Sequence, residues 1–209
     1  MSRPVTQVVT LSLQPEANAE EAIKGLKAVL SRRQGFQSLK WGRWEQDKSK
    51  VNLIIGWDDI SNHKAFEQSK TDFAAPGGLL GPVLAGPPFM FHVYLDPAER
   101  EKILSAPIVE VATFFSVPYN YSIEAEKFLE ILGSFKGGLG FLHADVIEEI
   151  SADGRDPKAT AWFVLLAWES IDLHVAAKNS DAIQNNYHLI GGREKGSDIE
   201  WHYVSFAEA

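Results

Sequence analysis

The chain repeats itself, and this constrains its fold more than any other feature. Leu53-Ile54-Ile55-Gly56-Trp57-Asp58-Asp59-Ile60-Ser61-Asn62-His63 returns 111 residues later as Val164-Leu165-Leu166-Ala167-Trp168-Glu169-Ser170-Ile171-Asp172-Leu173-His174. An apolar triplet, a small residue, Trp, an acid, Ile and His recur in one order. Phe91-His92 matches Trp201-His202 at an offset of 110. Upstream the offset is 102, pairing Val9 with Val111, Leu26 with Phe128, Val29 with Ile131, Leu30 with Leu132 and Gly35 with Gly137. A repeat of this period means two copies of one supersecondary unit. The growth of the offset from 102 to 111 requires nine more residues in the second copy, and Ser151–Ala159 supplies them in a polar, Gly/Pro-punctuated stretch. Lengthening a hairpin loop costs little, so a duplicated unit diverges there easily.

Each copy reads β-α-β-β-α-β. In the first, Val5–Leu13 alternates with Val9, Leu11 and Leu13 on one face. Ala19–Gln34 carries Ala22, Ile23, Leu26, Val29 and Leu30 at helical spacing, with Asn18 as N-cap. Phe36–Glu45 and Val51–Trp57 form a hairpin, a helix runs from Ser61 to about Phe73, and Phe89–Leu95 closes the unit. The second copy follows with strand Ile108–Val117, helix Ile123–Lys136, strands Leu139–Ile150 and Ala161–Trp168, a helix near Asp172–Leu189, and strand Ile199–Phe206. Ala75–Pro88 reads as a Gly/Pro-rich loop whose leucines cover either the core edge or a cavity mouth.

A β-α-β-β-α-β unit is a ferredoxin-like antiparallel sheet with both helices on one face. The other face then needs cover. Two such sheets placed face to face would hide each other and leave an apolar chamber between them. The expected fold class is therefore α+β, with two ferredoxin-like halves forming an intramolecular dimeric α/β barrel. The halves are expected at 1–96 and 106–209, joined by a charged linker at 97–105. The chain would be a monomeric pseudo-dimer or would associate further as a homodimer.

Composition narrows the chemistry. The net charge of −8 provides no basic footprint for nucleic acid. No apolar run approaches the length of a membrane span, and no signal-peptide core precedes the first strand, so a cytoplasmic protein is expected. The absence of cysteine removes thiolate nucleophiles and Cys-based metal sites. HExxH, Walker and Gly-x-Ser-x-Gly patterns are absent, and no metal is expected.

The candidate residues each have a plain alternative. His63 and His174 begin equivalent helices, as acid/base groups or as packed helix-start residues. His92 and His202 sit inside the last strand of each half, where a histidine serves as a general base if its face lines the chamber. Alternation puts His92 with Met90 and Tyr94, and sets His202 against Trp201 and Tyr203. Trp41 and Arg43 share a strand face suited to stacking on a flat ring, or form an exposed cation–π pair. Phe114, Tyr119, Asn120 and Tyr121 are candidates for holding a phenolic substrate, although the last three equally suit the turn after Pro118.

Gly35-Phe36 after a helix, and above all Trp168-Glu169-Ser170 between an apolar strand and a His-bearing helix, resemble the antibiotic-biosynthesis monooxygenase family, with Trp57-Asp58-Asp59 as the weaker copy. The resemblance covers both halves. It implies a small-molecule enzyme acting on an aromatic or polyketide-like substrate by cofactor-independent oxygenation, cyclisation or isomerisation, with His92, His202 or His174 as catalytic groups. The alternatives are a carrier of an apolar ligand and a haem protein. The haem reading rests on Asn179-Ser180-Asp181 preceding His188, a run similar to that before the iron ligand of haem-degrading relatives. The asparagine that those relatives place on the first strand is missing from Ile108–Val117, and Ala176-Ala177-Lys178 replaces their aromatic residue. Polar groups converging in only one half would favour an enzyme; symmetric apolar walls would favour a carrier.

Overall fold

The structure is a computed structural model that describes residues 2–118, 120–152, 158–191 and 198–209. It divides into two compact units, Met1–Pro97 with Ala207–Ala209, and Ala98–Phe206. The first holds β1 (Val5–Ser12), α1 (Ala19–Leu30), β2 (Phe36–Arg43), β3 (Lys50–Trp57), α2 (Ile60–Gln68), α3 (Lys70–Leu80) and β4 (Phe89–Val93). The second holds α4 (Pro97–Leu104), β5 (Ile108–Phe115), α5 (Tyr121–Gly133), β6 (Gly138–Asp145), β7 (Ala161–Trp168), α6 (Ile171–Lys178), α7 (Asp181–Gln184) and β8 (Ile199–Val204). A last strand, β9 (Ala207–Glu208), returns to the first unit beside β2. The sheet orders are β4-β1-β3-β2-β9 and β6-β7-β5-β8. Read from the other edge, the second order is the first without β9. The fold class is the expected one, α+β with two ferredoxin-like halves.

The duplication extends to irregularities. Each second strand carries a register shift at its start, between Phe36 and Ser38 and between Gly138 and Gly140. Each loop from the first helix to the second strand holds a glycine at positive φ, Gly35 at 79° and Gly137 at 90°. Their carbonyls accept from Asp58 N at 2.7 Å and Glu169 N at 2.8 Å, tying this loop to the residue after the third strand. A side chain at Gly137 would sit 2.6 Å from a Leu173 methyl, so both the backbone and the space demand glycine.

The pairing corrects the alignment of the first strands. Val5 lies opposite Trp57 and Val9 opposite Leu53; Ile108 lies opposite Trp168 and Ala112 opposite Val164. Val9 therefore corresponds to Ala112, one residue on from Val111. Both strands are buried on both faces, with Val8, Val9, Val111 and Ala112 all buried. Such a strand has no polar alternation to fix its register in sequence.

Between each sheet and its helices lies an apolar core. Ile23, Leu26 and Leu30 of α1 pack on Leu11, Leu53 and Ile55; Phe128, Leu129 and Leu132 of α5 pack on Phe114, Val164 and Leu166. Burying each such side chain contributes roughly 1.5–3 kcal/mol before entropy is counted. Side-chain caps start the helices: Asn18 Oδ1 accepts from Glu21 N, Asp59 Oδ1 from Ser61 N, and Ser170 Oγ from Leu173 N.

Three segments differ from expectation. Ala75–Pro88 is not a loop throughout, because α3 continues through Pro76 and Gly77-Gly78 to Leu80, and Gly81–Val83 forms a 3-10 turn. Packing overrides the poor propensity: Leu79 lies against Gly25 of α1, and Leu80 and Leu84 pack on the core. The expected linker is helix α4, started by Pro97, whose Ile103 and Leu104 are buried despite its charges. The C-terminus belongs to the first unit, where Glu208 pairs with Lys27 and Lys40.

Candidate functional site

Each half buries a polar group of four residues at one place, where the first and last strands meet the first turn of the helix after the third strand. In the second half these are Glu110 on β5, Trp168 at the end of β7, His174 on α6 and Tyr203 on β8. Glu110 lies opposite Tyr203 in the sheet. His174 Nδ1 is 2.7 Å from the Tyr203 hydroxyl, and its Nε2 is 3.2 Å from Glu110 Oε2. The Nε2–Glu110 approach is too oblique for a hydrogen bond. The imidazole stacks on Trp168 at 4.7 Å between centroids.

Electrostatics assign protons within this group. Burial pushes the Glu110 carboxyl up to about 7, opposed by the Lys178 ammonium. Burial, assisted by Lys178, holds His174 down to about 3, so its ring is neutral near pH 7. Burial and the Glu110 charge raise the Tyr203 phenol above its usual range. An ion pair between His174 and Glu110 is therefore not the resting state, even though their atoms lie within ion-pair distance. With Glu110 ionised, the proton on neutral His174 belongs on Nε2, leaving Nδ1 to accept from the Tyr203 hydroxyl.

The first half has the same scaffold and different chemistry. Gln7 stands where Glu110 does, opposite His92, which stands where Tyr203 does. Trp57 Nε1 donates to Gln7 Oε1 at 3.1 Å, and Gln7 Nε2 donates to Met90 Sδ at 3.4 Å. His92 Nε2 and His63 Nδ1 share a hydrogen bond of 2.9 Å. The counterpart of His92 is thus Tyr203 at the unchanged offset of 111, and a match to His202 is one residue short. In a strand, one residue reverses the face.

A cavity lies beside each group, inside its own half and between the sheet and that half's helices. The chamber was expected on the opposite sheet face. The second-half cavity measures about 490 Å³; Glu110, His174, Lys178 and Gln184 interrupt a wall of Phe114, Leu166 and similar residues, with Trp201 also on the lining. The first-half cavity measures about 270 Å³ and is walled by aliphatic side chains such as Leu26, Leu53 and Leu80, with Gln7 and His63 as the only polar lining residues among those described.

No model of a protein family matches the chain, and no curated protein matches it. Solved structures do. An anthrone oxidase-like protein superposes over 100% of this chain and 94% of its own, with a TM-score of 0.70 at 10% identity. A candidate monooxygenase from Fusobacterium nucleatum covers 99% of this chain and 95% of its own, with a TM-score of 0.62 at 10% identity. Another, from Lactobacillus acidophilus NCFM, covers 99% and 96%, with a TM-score of 0.58 at 9% identity. The chain has the tandem ferredoxin-like fold of these monooxygenase-like proteins. At such identities the likeness carries the fold and no residue roles.

Within this monooxygenase-like fold the sequence candidates fall in different places. His174 and Phe114 line the second-half cavity. Tyr121 packs on Phe114 and Trp162 and donates to the Ile190 carbonyl at 2.9 Å, outside the cavity wall. Asn120 is the exposed, left-handed N-cap of α5, with φ 67°. Tyr119 lies outside the described residues. His92 is buried on the helix side of its sheet against His63. His202 is buried on the face away from the second-half cavity, opposite in direction to Trp201 and Tyr203. Trp41 packs on the first-half core, while Arg43 donates to the carbonyls of Lys48 and Ala17, and neither lines either of the two cavities described above. A cation–π contact forms instead between Lys50 and buried Trp44, at 4.5 Å. His188 is exposed, its Nδ1 lies 3.0 Å from the Asn185 carbonyl, and it does not line the cavity, so these residues do not fit haem ligation.

Glu110, Lys178, Tyr203 and Trp201 were missed. Glu110 did leave a signal, as a carboxylate between Val109 and Val111 in an apolar strand. Lys178 and Trp201 left none that separates them from surface residues. Among the described residues, no helix is long and apolar enough to cross a membrane.

Proposed function

We propose that the second half is a cofactor-independent oxygenase site for an aromatic, polyketide-like small molecule. The observation that carries this reading is the asymmetry of the cavities: ionisable Glu110 and neutral His174 face the larger one, whereas Gln7 replaces the carboxylate in the other. A base titrating near 7 in an apolar wall is matched to proton abstraction at neutral pH. The fold shared with an anthrone oxidase-like protein supports an anthrone-type methylene as the reacting centre.

The steps balance with dioxygen as the only co-reactant. Ionised Glu110 takes one proton from the acidic methylene, and the carbanion is delocalised into the rings. The carbanion reduces dioxygen by one electron, and the radical pair combines to a carbon–oxygen bond. The peroxide anion takes the proton back from Glu110. Loss of the second methylene proton with the distal hydroxyl releases water and leaves a carbonyl, so CH2 plus O2 gives C=O plus H2O. His174, oriented by Tyr203 and stacked on Trp168, presents Nε2–H beside Glu110, where developing negative charge on the substrate oxygen would be met. By the same criterion, the apolar first-half cavity favours binding without chemistry.

The test is oxygen uptake with anthrone and its hydroxylated derivatives, with no added cofactor. Uptake matched by quinone formation and lost in Glu110→Gln supports the reading. Uptake no faster than the buffer reaction, or unchanged in Glu110→Gln, contradicts it.

A further inference from the structure

The second-half cavity carries one arrangement that proton abstraction does not use. Lys178, on the last turn of α6, lines the cavity, and its Nζ sits 4.1 Å from the centre of the Trp201 ring. Trp201 lines the same cavity yet remains 42% exposed, an unusual exposure for the largest apolar side chain. Among the described residues Lys178 makes no ion pair, although the chain as a whole is acidic. Its charge acts on Glu110, which lines the same cavity, and on His174 one turn earlier on α6. The Lys178 carbonyl accepts from Gln184 Nε2 at 2.8 Å.

We propose that Lys178 and Trp201 form an acid-recognition subsite, so that the ligand of this cavity is a flat aromatic ring bearing an anionic group, a carboxylate or a phenolate. An ammonium ion beside an apolar wall attracts an anion more strongly than it would in bulk water. The indole face offers a stacking platform for the ring that carries the anion. The reacting carbon would then point inward toward Glu110 and His174, with the charged end held at the exposed side by Lys178. This selection deepens the oxygenase reading, because it names which aromatic molecules enter. It also stands as a binding statement without that chemistry. The first half shows the contrast: among the described residues no lysine or arginine lines its cavity, so no such preference is expected there.

The experiment is a calorimetric titration of the intact chain with 2-naphthoate and with its uncharged isostere 2-naphthamide, at low and high salt. Wild type should bind the acid roughly tenfold or more tightly than the amide, the size of one charge-assisted contact. The preference should shrink with salt, vanish in Lys178→Met and persist in Lys178→Arg. Trp201→Leu should weaken both probes together. Equal binding of the two probes by wild type, a preference that survives Lys178→Met, or binding of neither probe at millimolar concentration overturns the subsite. Because binding is read without turnover, a protein that selects the acid but consumes no oxygen retains the subsite and loses only the oxygenase reading.

Discussion

The two halves place the same ring beside the same tryptophan and then part in two residues. In the first, Trp57 Nε1 finds Gln7, and His63 finds His92. In the second, Glu110 replaces Gln7 and Tyr203 replaces His92, while buried Trp168 Nε1 has no hydrogen-bond partner among the described residues. An amide at this place satisfies its neighbours. A carboxylate leaves a donor unmatched and titrates at about 7. Unsatisfied buried groups cost about 1–3 kcal/mol each, so the second half is the less relaxed version of one scaffold. The comparison teaches that duplicated architecture does not duplicate chemistry.

The strongest break in the comparison is Glu110→Gln, which gives the second half the first half's side chain. Oxygen uptake should fall by about 100-fold or more, the usual worth of a positioned base. The same variant should change the dependence of stability on pH. Glu110 is raised in the folded state from 4.5 to about 7, so its stabilising protonation is complete below pH 4.5 and lost as pH rises through 7. Wild type should lose about 3 kcal/mol relative to Glu110→Gln between pH 4.5 and pH 8.5 in denaturant titrations. His174 acts in the opposite sense, because its lowered value removes stability as pH falls from 6.5 toward 3. A His174→Gln variant should therefore resist acid better than wild type over that range.

The converse change, Gln7→Glu, imports a carboxylate into the first half. It should destabilise the protein by about 2–3 kcal/mol at pH 8 and by less at pH 5, as measured by chemical denaturation. A smaller effect separates the tryptophans. Trp57→Phe removes the donor to Gln7 and should cost about 1 kcal/mol more than Trp168→Phe, whose indole N–H makes no bond among the described residues.

The sequence already exposed the repeat, the β-α-β-β-α-β order and the site of the long hairpin, because Trp, Gly and His mark fixed points in both copies. The site was less legible, and the reason is register. Strands buried on both faces, such as β5, carry no alternation, so Glu110 could not be assigned a side. A one-residue slip at the last strand paired His92 with His202, which faces away from the cavity, and passed over Tyr203. His174 was visible because the repeat fixed it from Trp168 onward. Lys178 and Trp201 acquire meaning only when α6 and β8 meet across the cavity.

Glu110 is proposed as the working base of the second half. The pH dependence of oxygen-uptake kcat/KM, compared between wild type, Glu110→Gln and His202→Gln, tests it most directly. The wild-type rate should rise through about pH 7, with the same profile in His202→Gln and neither the rate nor the inflection in Glu110→Gln. An inflection that persists without Glu110, or one that disappears with His202, would contradict it.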